Sequence, residues 1–359
     1  MSETNFLPGT YTHQPQNGSV SWRSPSNIAL VKYWGKHVDQ LPKNTSVSFT
    51  LSNCFSETTM QYRKKDGAGY DFEVYLDEKR EEGFEPKIGQ FFDRIKNYLP
   101  FLEQYAFRID TSNSFPHSSG IASSASGMSA LALCLMSLER EFMGGELSEE
   151  KFKNKASFLA RLGSGSACRS IDGPLIVWGE HPDIEGSSDL FGIEYPFDVH
   201  PNFSNYRDTI LLVDKGEKQV SSTVGHGLMK NHPYAAVRFE QANKNITRLI
   251  DVFRNGNLDA FIEIVESEAL QLHAMMMTSL PYFILMKPNT LEVIDRIWQF
   301  RKDTGSKVCF TLDAGANVHV LYPDSEKEVV TSFIGSELTQ FCKNGSFIDD
   351  KAGTGAQSL

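Results

Sequence analysis

Between Phe115 and Gly127 the chain reads Phe-Pro-His-Ser-Ser-Gly-Ile-Ala-Ser-Ser-Ala-Ser-Gly, and an apolar run from Met128 to Phe142 follows at once. Little else folds from such a stretch but a loop of small residues opening a helix. Backbone N–H groups at that junction point outward, and the helix dipole adds partial positive charge there, so the arrangement suits an anion. The hydroxyls of Ser118, Ser119, Ser123, Ser124 and Ser126 can bond phosphate oxygens or a magnesium ion. Taken alone, the same composition also suits a plain turn with a helix cap. It is neither a Walker loop, since no Gly-Lys-Ser/Thr ends it, nor a dinucleotide fingerprint, since the G-x-G-x-x-G spacing is absent.

At 359 residues the chain is long enough for two domains sharing a cleft. A net charge of −10 argues against nucleic acid as a partner, because binding phosphate backbones needs a basic face. No apolar run approaches the roughly 18 residues of a membrane span. Residues 1–19 are polar and lack the basic and apolar regions of a secretory signal, and a flexible leader is expected there. The five cysteines are scattered and form no C-x-x-C pair, which fits reduced thiols and a cytoplasmic location. The nine histidines show no metal-binding spacing.

Three further stretches carry candidate chemistry. An expected strand around Asn27-Ile-Ala-Leu-Val31 runs into Lys32-Tyr33-Trp34-Gly35-Lys36, which is either a solvated turn with core-covering aromatics or a clamp on a polyanion. Gly163-Ser-Gly-Ser-Ala-Cys-Arg169-Ser170 delivers an arginine from a Gly/Ser turn, suited to a structural salt bridge or to a bidentate hold on a carboxylate or phosphate. Asp313-Ala-Gly-Ala-Asn317 breaks an expected strand, as a turn or as a carboxylate facing a cleft.

Together these motifs resemble the GHMP kinases. The stretch Pro116-x-x-x-Gly120-Ile-x-Ser123-Ser124-Ala125 is similar to their phosphate loop. Asn27-Ile-Ala-x-x-Lys32-Tyr-Trp-Gly-Lys36, Leu41-Pro-x-Asn44-x-Ser46, the Arg169 turn, Lys218-Gln-Val-Ser221-Ser222-Thr223-Val-Gly225 and Thr311-Leu-Asp313-Ala-Gly-Ala-Asn317 resemble, in order, the mevalonate diphosphate decarboxylase branch. The resemblance runs from about residue 21 to 341. It implies an α+β, two-domain GHMP fold, with an N-terminal half like ribosomal protein S5 domain 2 and a C-terminal α/β sandwich. The expected division is a leader at 1–19, an ATP-binding domain at 20–190, a second domain at 191–345 and a polar tail at 346–359.

It also implies ATP and Mg2+ as co-reactants, a phosphorylated mevalonate as substrate and a homodimer. Asp313 would act on the 3-hydroxyl and Lys32 on the transferring group. Arg169, steadied by Asn27, would hold the substrate carboxylate. Ser118, Ser119, Gly120, Ala122, Ser123, Ser124 and Ser126 would hold the nucleotide phosphates, with Ser124 on magnesium. Tyr33, Lys36, Ser170, Ser222 and Thr223 would join Arg169 in binding substrate. Two positions depart from the branch. Asp172-Gly-Pro174 stands where Tyr-Gly-Gly is common, placing an extra negative charge near the site, and His226 stands where Met is common. These departures keep open a 3-kinase or a decarboxylase of the 5-monophosphate, and a silent binding protein is the remaining alternative.

Elsewhere, strands are expected at 47–51, 58–62, 70–75, 106–110, 209–213 and 308–312, and helices at 88–99, 148–163, 234–253 and 258–277. Asn289 with Glu292 suggests a capping box. His273 and Met275 to Met277 read as core residues.

Overall fold

The computed structural model describes residues 2–116, 121–214 and 222–359, without the side chains of residues 222 and 223. In chain order its strands are β1 (Asn17–Val31), β2 (Ser46–Lys64), β3 (Asp71–Leu76), β4 (Lys79–Arg80), β5 (Tyr105–Asn113), β6 (Leu175–Trp178), β7 (Gly192–Glu194), β8 (Arg207–Leu211), β9 (Cys309–Thr311), β10 (Val318–Tyr322), β11 (Phe347–Lys351) and β12 (Gln357–Ser358). Its helices are α1 (Glu85–Ile95), α2 (Ser123–Phe142), α3 (Glu149–Gly163), α4 (Ser222–Gly227), α5 (Ala235–Asn255), α6 (Leu258–Met277), α7 (Pro288–Thr304) and α8 (Lys327–Phe333).

A first sheet runs β12-β1-β2-β5-β3-β4, with β6 and β7 continuing from β2; a second runs β11-β8-β10-β9. The stretches expected at 47–51 and 58–62 are one strand, β2, because its inner half is buried on both faces and shows no alternation. One face of the first sheet is covered by α2, which is buried almost all round and packs on α3. The inner ends of β1 and β2 share a second apolar cluster with α5 and α6, in which Ile28, Leu30 and Phe49 meet Ile246, Phe253 and Phe261. An interface this apolar holds the two halves in one relative position.

Pairing of β1 with β2 slips twice, between Pro25 and Asn27 and between Ala29 and Val31. Such irregularities bend a strand and re-aim its side chains, and here they lie at the residues leading into Lys32. At the first slip, β2 residues 51–54 leave the β1 ladder, since Pro25 faces Phe55 while Asn27 faces Thr50. The N–H groups of the last three are taken by one carboxylate. Asp350 Oδ1 accepts from the N–H of Ser52 and of Asn53, and Oδ2 from that of Cys54, each at 2.8 Å.

Asp350 lies on β11, so the expected polar tail is a structural clamp. β11 pairs with β8 in the second sheet and β12 pairs with β1 in the first. The expected flexible leader is also packed. Phe6 is buried and stacks on Phe158 at 4.3 Å, and the Tyr11 hydroxyl donates to Glu139 at 3.1 Å. Both errors have one cause: a polar segment with a few anchors carries no periodicity to announce its docking. Replacing Asp350 with Asn presents an amide N–H to the Cys54 N–H and is expected to cost about 1–3 kcal/mol of stability, read as a fall in the denaturation midpoint. An unchanged midpoint would refute the clamp.

The helix caps differ in one place. Ser148 caps α3 as expected, accepting from Lys151 N–H. The capping box expected at Asn289 is displaced: α7 begins at Pro288 with Lys287 at its cap, and the Thr290 hydroxyl accepts from Lys287 N–H at 3.1 Å. Proline at the first helical position sets that start, since its missing N–H is one the helix could not use.

Candidate active site

Lys32, the residue just past β1, enters a cavity of about 620 Å³ between the two halves. Lys32 is 2% exposed, and its Nζ donates to Asp313 Oδ1 at 3.1 Å across 281 positions of sequence. Burial lowers the lysine's pKa, and the Asp313 carboxylate opposes that shift. A buried ammonium beside a carboxylate that still reaches solvent forms a polarised pair at the cavity wall. Asp313 follows β9 in a tight turn, where Gly315 N–H donates to the Asp313 carbonyl at 2.7 Å. His273 Nε2 lies 3.1 Å from the same carbonyl. Burial lowers the pKa of His273 to about 4, so the ring is neutral and Nε2 donates. His273 is thus a core histidine, as expected, and this hydrogen bond steadies the Asp313 turn.

Arg169 enters from the turn after α3. It is buried, its Nε donates to Asn27 Oδ1 at 3.2 Å, and its Nη1 donates to Ser46 Oγ at 2.8 Å. Asn27 is in turn fixed by donating to Ser170 Oγ at 2.8 Å. Burial pulls the arginine's pKa down, and neighbouring Cys168 and Asp313 raise it. A guanidinium remains charged under such a shift, so one cation stands at the cavity with part of its donor fork committed to neutral oxygens.

The opposite wall is the start of α2. Ser123, Ser124 and Gly127 line the cavity, and Ala122 before them has a left-handed backbone, φ 45°. Gly127 has open space where a Cβ would stand, leaving the helix backbone bare on that side. Ser124 Oγ lies 3.4 Å from Ser164 Oγ. Ser126, expected among the phosphate contacts, points the other way: it is fully buried and its hydroxyl shares a hydrogen with Ser56 Oγ at 2.7 Å. Helical spacing does not separate it from Ser123, three residues earlier on the same side; the approach of β2, which carries Ser56, turns it inward. Ser170 is likewise buried against Asn27 rather than facing the cavity, so it positions Asn27. Ser118, Ser119 and Gly120 lie outside the described residues, as do the side chains of Ser222 and Thr223.

Tyr33 and Lys36 both line the cavity. Lys36 Nζ donates to Gln40 at 2.7 Å, and partial burial lowers its pKa, with nearby Arg94 adding to the effect. The Tyr33 hydroxyl is buried with no partner among the described residues. A Cβ on residue 165 would stand 2.8 Å from it, so glycine there makes room for the phenol. Trp34 is core, packed with Met229, Leu272, Met275 and Met276; Met277 is partly exposed.

Asp172 corrects an expectation. Its carboxylate pairs with Lys153 Nζ at 2.6 Å and does not line the cavity, so its charge is matched away from the site. Three residues behind the site, Glu268, Arg238 and Asn245, were assigned no role from the sequence. Glu268 is fully buried on α6 and accepts from Lys32 N–H at 2.9 Å, from Arg238 Nη2 at 2.5 Å and from Asn245 Nδ2 at 2.7 Å. The available signal was a carboxylate on the apolar stripe of a helix, in register with Phe261, Val265 and Leu272. The cavity's far lobe, walled by Val74, Leu76, Phe84, Ile88 and Ile109, was also unforeseen.

A helix entrance built for anions, facing a buried Lys–Asp pair across a two-domain cleft, defines a phosphoryl-transfer scaffold of the GHMP class. The comparisons narrow it. The diphosphomevalonate decarboxylase-like N-terminal domain model matches residues 24–189, and the mevalonate 5-diphosphate decarboxylase C-terminal domain model matches residues 209–356. The chain is 29% identical over 346 residues to a diphosphomevalonate decarboxylase of Bos taurus, covering 90% of this chain and 80% of the bovine one. It superposes on mevalonate diphosphate decarboxylase from Staphylococcus aureus with TM-score 0.81 and 27% identity, over 96% of this chain and 98% of that one. It also superposes on MDDEF in complex with MVAPP, AMPPCP and magnesium, with TM-score 0.80 and 27% identity, over 96% and 99%. This chain belongs to the mevalonate diphosphate decarboxylase family of the GHMP superfamily.

Proposed function

We propose that the protein catalyses the ATP-dependent decarboxylation of mevalonate 5-diphosphate, giving isopentenyl diphosphate, ADP, phosphate and carbon dioxide. The observation that carries this reading is the Lys32–Asp313 pair lying beside Arg169, with Ser123 and Ser124 on the facing wall. A kinase needs the first and last of these. A buried, oriented guanidinium next to the same carboxylate adds what a decarboxylase needs, a counter-charge for the substrate carboxylate.

The tertiary 3-hydroxyl is a weak nucleophile and a poor leaving group. Asp313 orients it and takes its proton as its oxygen bonds to the γ-phosphorus and the bond to the β-phosphate oxygen breaks. Lys32 offsets charge on the transferring group and keeps Asp313 ionised. The C3–O bond then breaks, phosphate leaves with the bonding pair, and the C1–C2 pair becomes the new double bond as carbon dioxide departs. Arg169 holds the carboxylate in position until that step.

The α2 entrance fits nucleotide phosphates, with bare backbone at Gly127 and hydroxyls at Ser123 and Ser124. No group of three or more His, Cys, Asp or Glu side chains among the described residues is placed to hold a metal. Magnesium would therefore be held by the Ser124 hydroxyl together with phosphate oxygens, and it would neutralise phosphate charge. The apolar lobe around Val74, Phe84 and Ile109 suits a nucleobase.

Carbon dioxide release from mevalonate, its 5-phosphate and its 5-diphosphate, each with ATP and magnesium, tests the proposal. Release from the diphosphate alone is expected. Release from the monophosphate alone, or ADP formed without carbon dioxide, would replace the reading with a sister reaction.

A further inference from the structure

His226 lines the cavity, and the mechanism above does not use it. It sits on α4, is 9% exposed, and its ring lies 4.3 Å from the Tyr33 ring and 4.7 Å from the Trp34 ring. Gly35 N–H donates to its Nδ1 at 2.9 Å. A nitrogen that accepts cannot carry the proton, so in the neutral ring the hydrogen is on Nε2. Burial, with the charges of Lys36 and Arg169, pulls the ring's pKa down to about 3, so it stays neutral at any working pH. No described residue partners Nε2.

The donor side of this ring is therefore left for something that enters the cavity. Lys36 and Arg169 line the same cavity as His226, and two cations beside a free N–H suit an anion. His226 lines the cavity, so an Nε2–H without an acceptor among the described residues is free to donate to a phosphate oxygen there.

We infer that His226 is a specificity-determining residue, donating a hydrogen bond from Nε2 to the 5-diphosphate of the substrate beside Lys36. The inference rests on the substrate reading above. It assigns the imidazole two separate duties: Nδ1 fixes the Gly35 turn and Nε2 reads the ligand.

Two variants separate the duties. His226→Asn keeps an acceptor near the ring's Nδ1 and loses the distal donor; His226→Gln reaches further and carries an N–H near the Nε2 position. Calorimetric titration of mevalonate 5-diphosphate, without nucleotide, is expected to show about tenfold weaker binding for His226→Asn and near wild-type binding for His226→Gln. ATP affinity should be unchanged in both. A purely structural role predicts the reverse order, and that result, equal losses or no loss would overturn the inference. If the wild type binds the diphosphate without releasing carbon dioxide, the activity alone is refuted and the comparison still decides His226. If the wild type does not bind the diphosphate, both readings fall.

Discussion

Replacing Asp313 with Asn is expected to lower kcat by about 10²–10⁴-fold, the usual contribution of a positioned acid–base group, while ATP affinity is retained. The substitution is nearly isosteric, and the turn that holds residue 313 is fixed through its backbone by Gly315 and His273. The amide oxygen can still accept from Lys32, so geometry survives and charge is lost. Two consequences follow. The hydroxyl loses its proton acceptor, and Lys32 loses the carboxylate that opposes its desolvation. With that opposing influence gone, the Lys32 pKa moves further down, so the variant's residual rate should decline with rising pH at lower pH than the wild type's does. Single-turnover measurement of ADP formation, with nucleotide binding followed separately, checks both. Turnover within tenfold of wild type would remove Asp313 from the chemistry.

Replacing Glu268 with Ala is expected to destabilise the protein by about 3–5 kcal/mol, the range for breaking a buried ion pair from one side. Glu268 and Arg238 are both at least 98% buried, and Arg238 Nε and Nη1 have no partner among the described residues. Without the carboxylate, Arg238 would be a buried charge with almost nothing to answer it, and the Lys32 and Asn245 donors would also lose their acceptor. Activity should fall with stability, because the Lys32 backbone is tied directly to Glu268. Denaturant unfolding of Glu268→Ala and Glu268→Gln measures the effect, with the Gln variant expected between Ala and wild type. A loss under about 1 kcal/mol for Ala would show that the pair is not the anchor described.

The candidate residues that meet at the cavity were legible along the chain, because each belongs to a local motif. Lys32 ends a strand, Arg169 leaves a Gly/Ser turn, Asp313 breaks a strand at glycine, and Ser123 and Ser124 open an apolar helix. Direction was harder to read than position. Ser126 and Ser170 sit inside the right motifs with their hydroxyls turned to Ser56 and Asn27. For Ser126, which shares a helix side with Ser123, only the approach of Ser56 on β2 decides. For Ser170, only the approach of β1 decides. Asp172 stands next to the Arg169 motif, yet its charge is answered by Lys153 from α3.

The amino-acid sequence by itself determined which fold forms and singled out the segments that bring Lys32, Arg169, Ser123, Ser124 and Asp313 to one cavity, because short-range patterns of small, charged and apolar residues survive without neighbours. The tertiary structure alone decided which charges meet. Lys32 finds Asp313 from 281 positions away, and Glu268 gathers Lys32, Arg238 and Asn245 from two halves of the chain. It also decided that β11 and β12 add an edge strand to each sheet and that His226 turns one nitrogen to Gly35 and leaves the other without a partner among the described residues. These pairings are set by burial. Away from water an unpaired charge or N–H is costly, so its partner is whichever group the packing of β1 against α5 and α6 brings within reach, however distant in the chain.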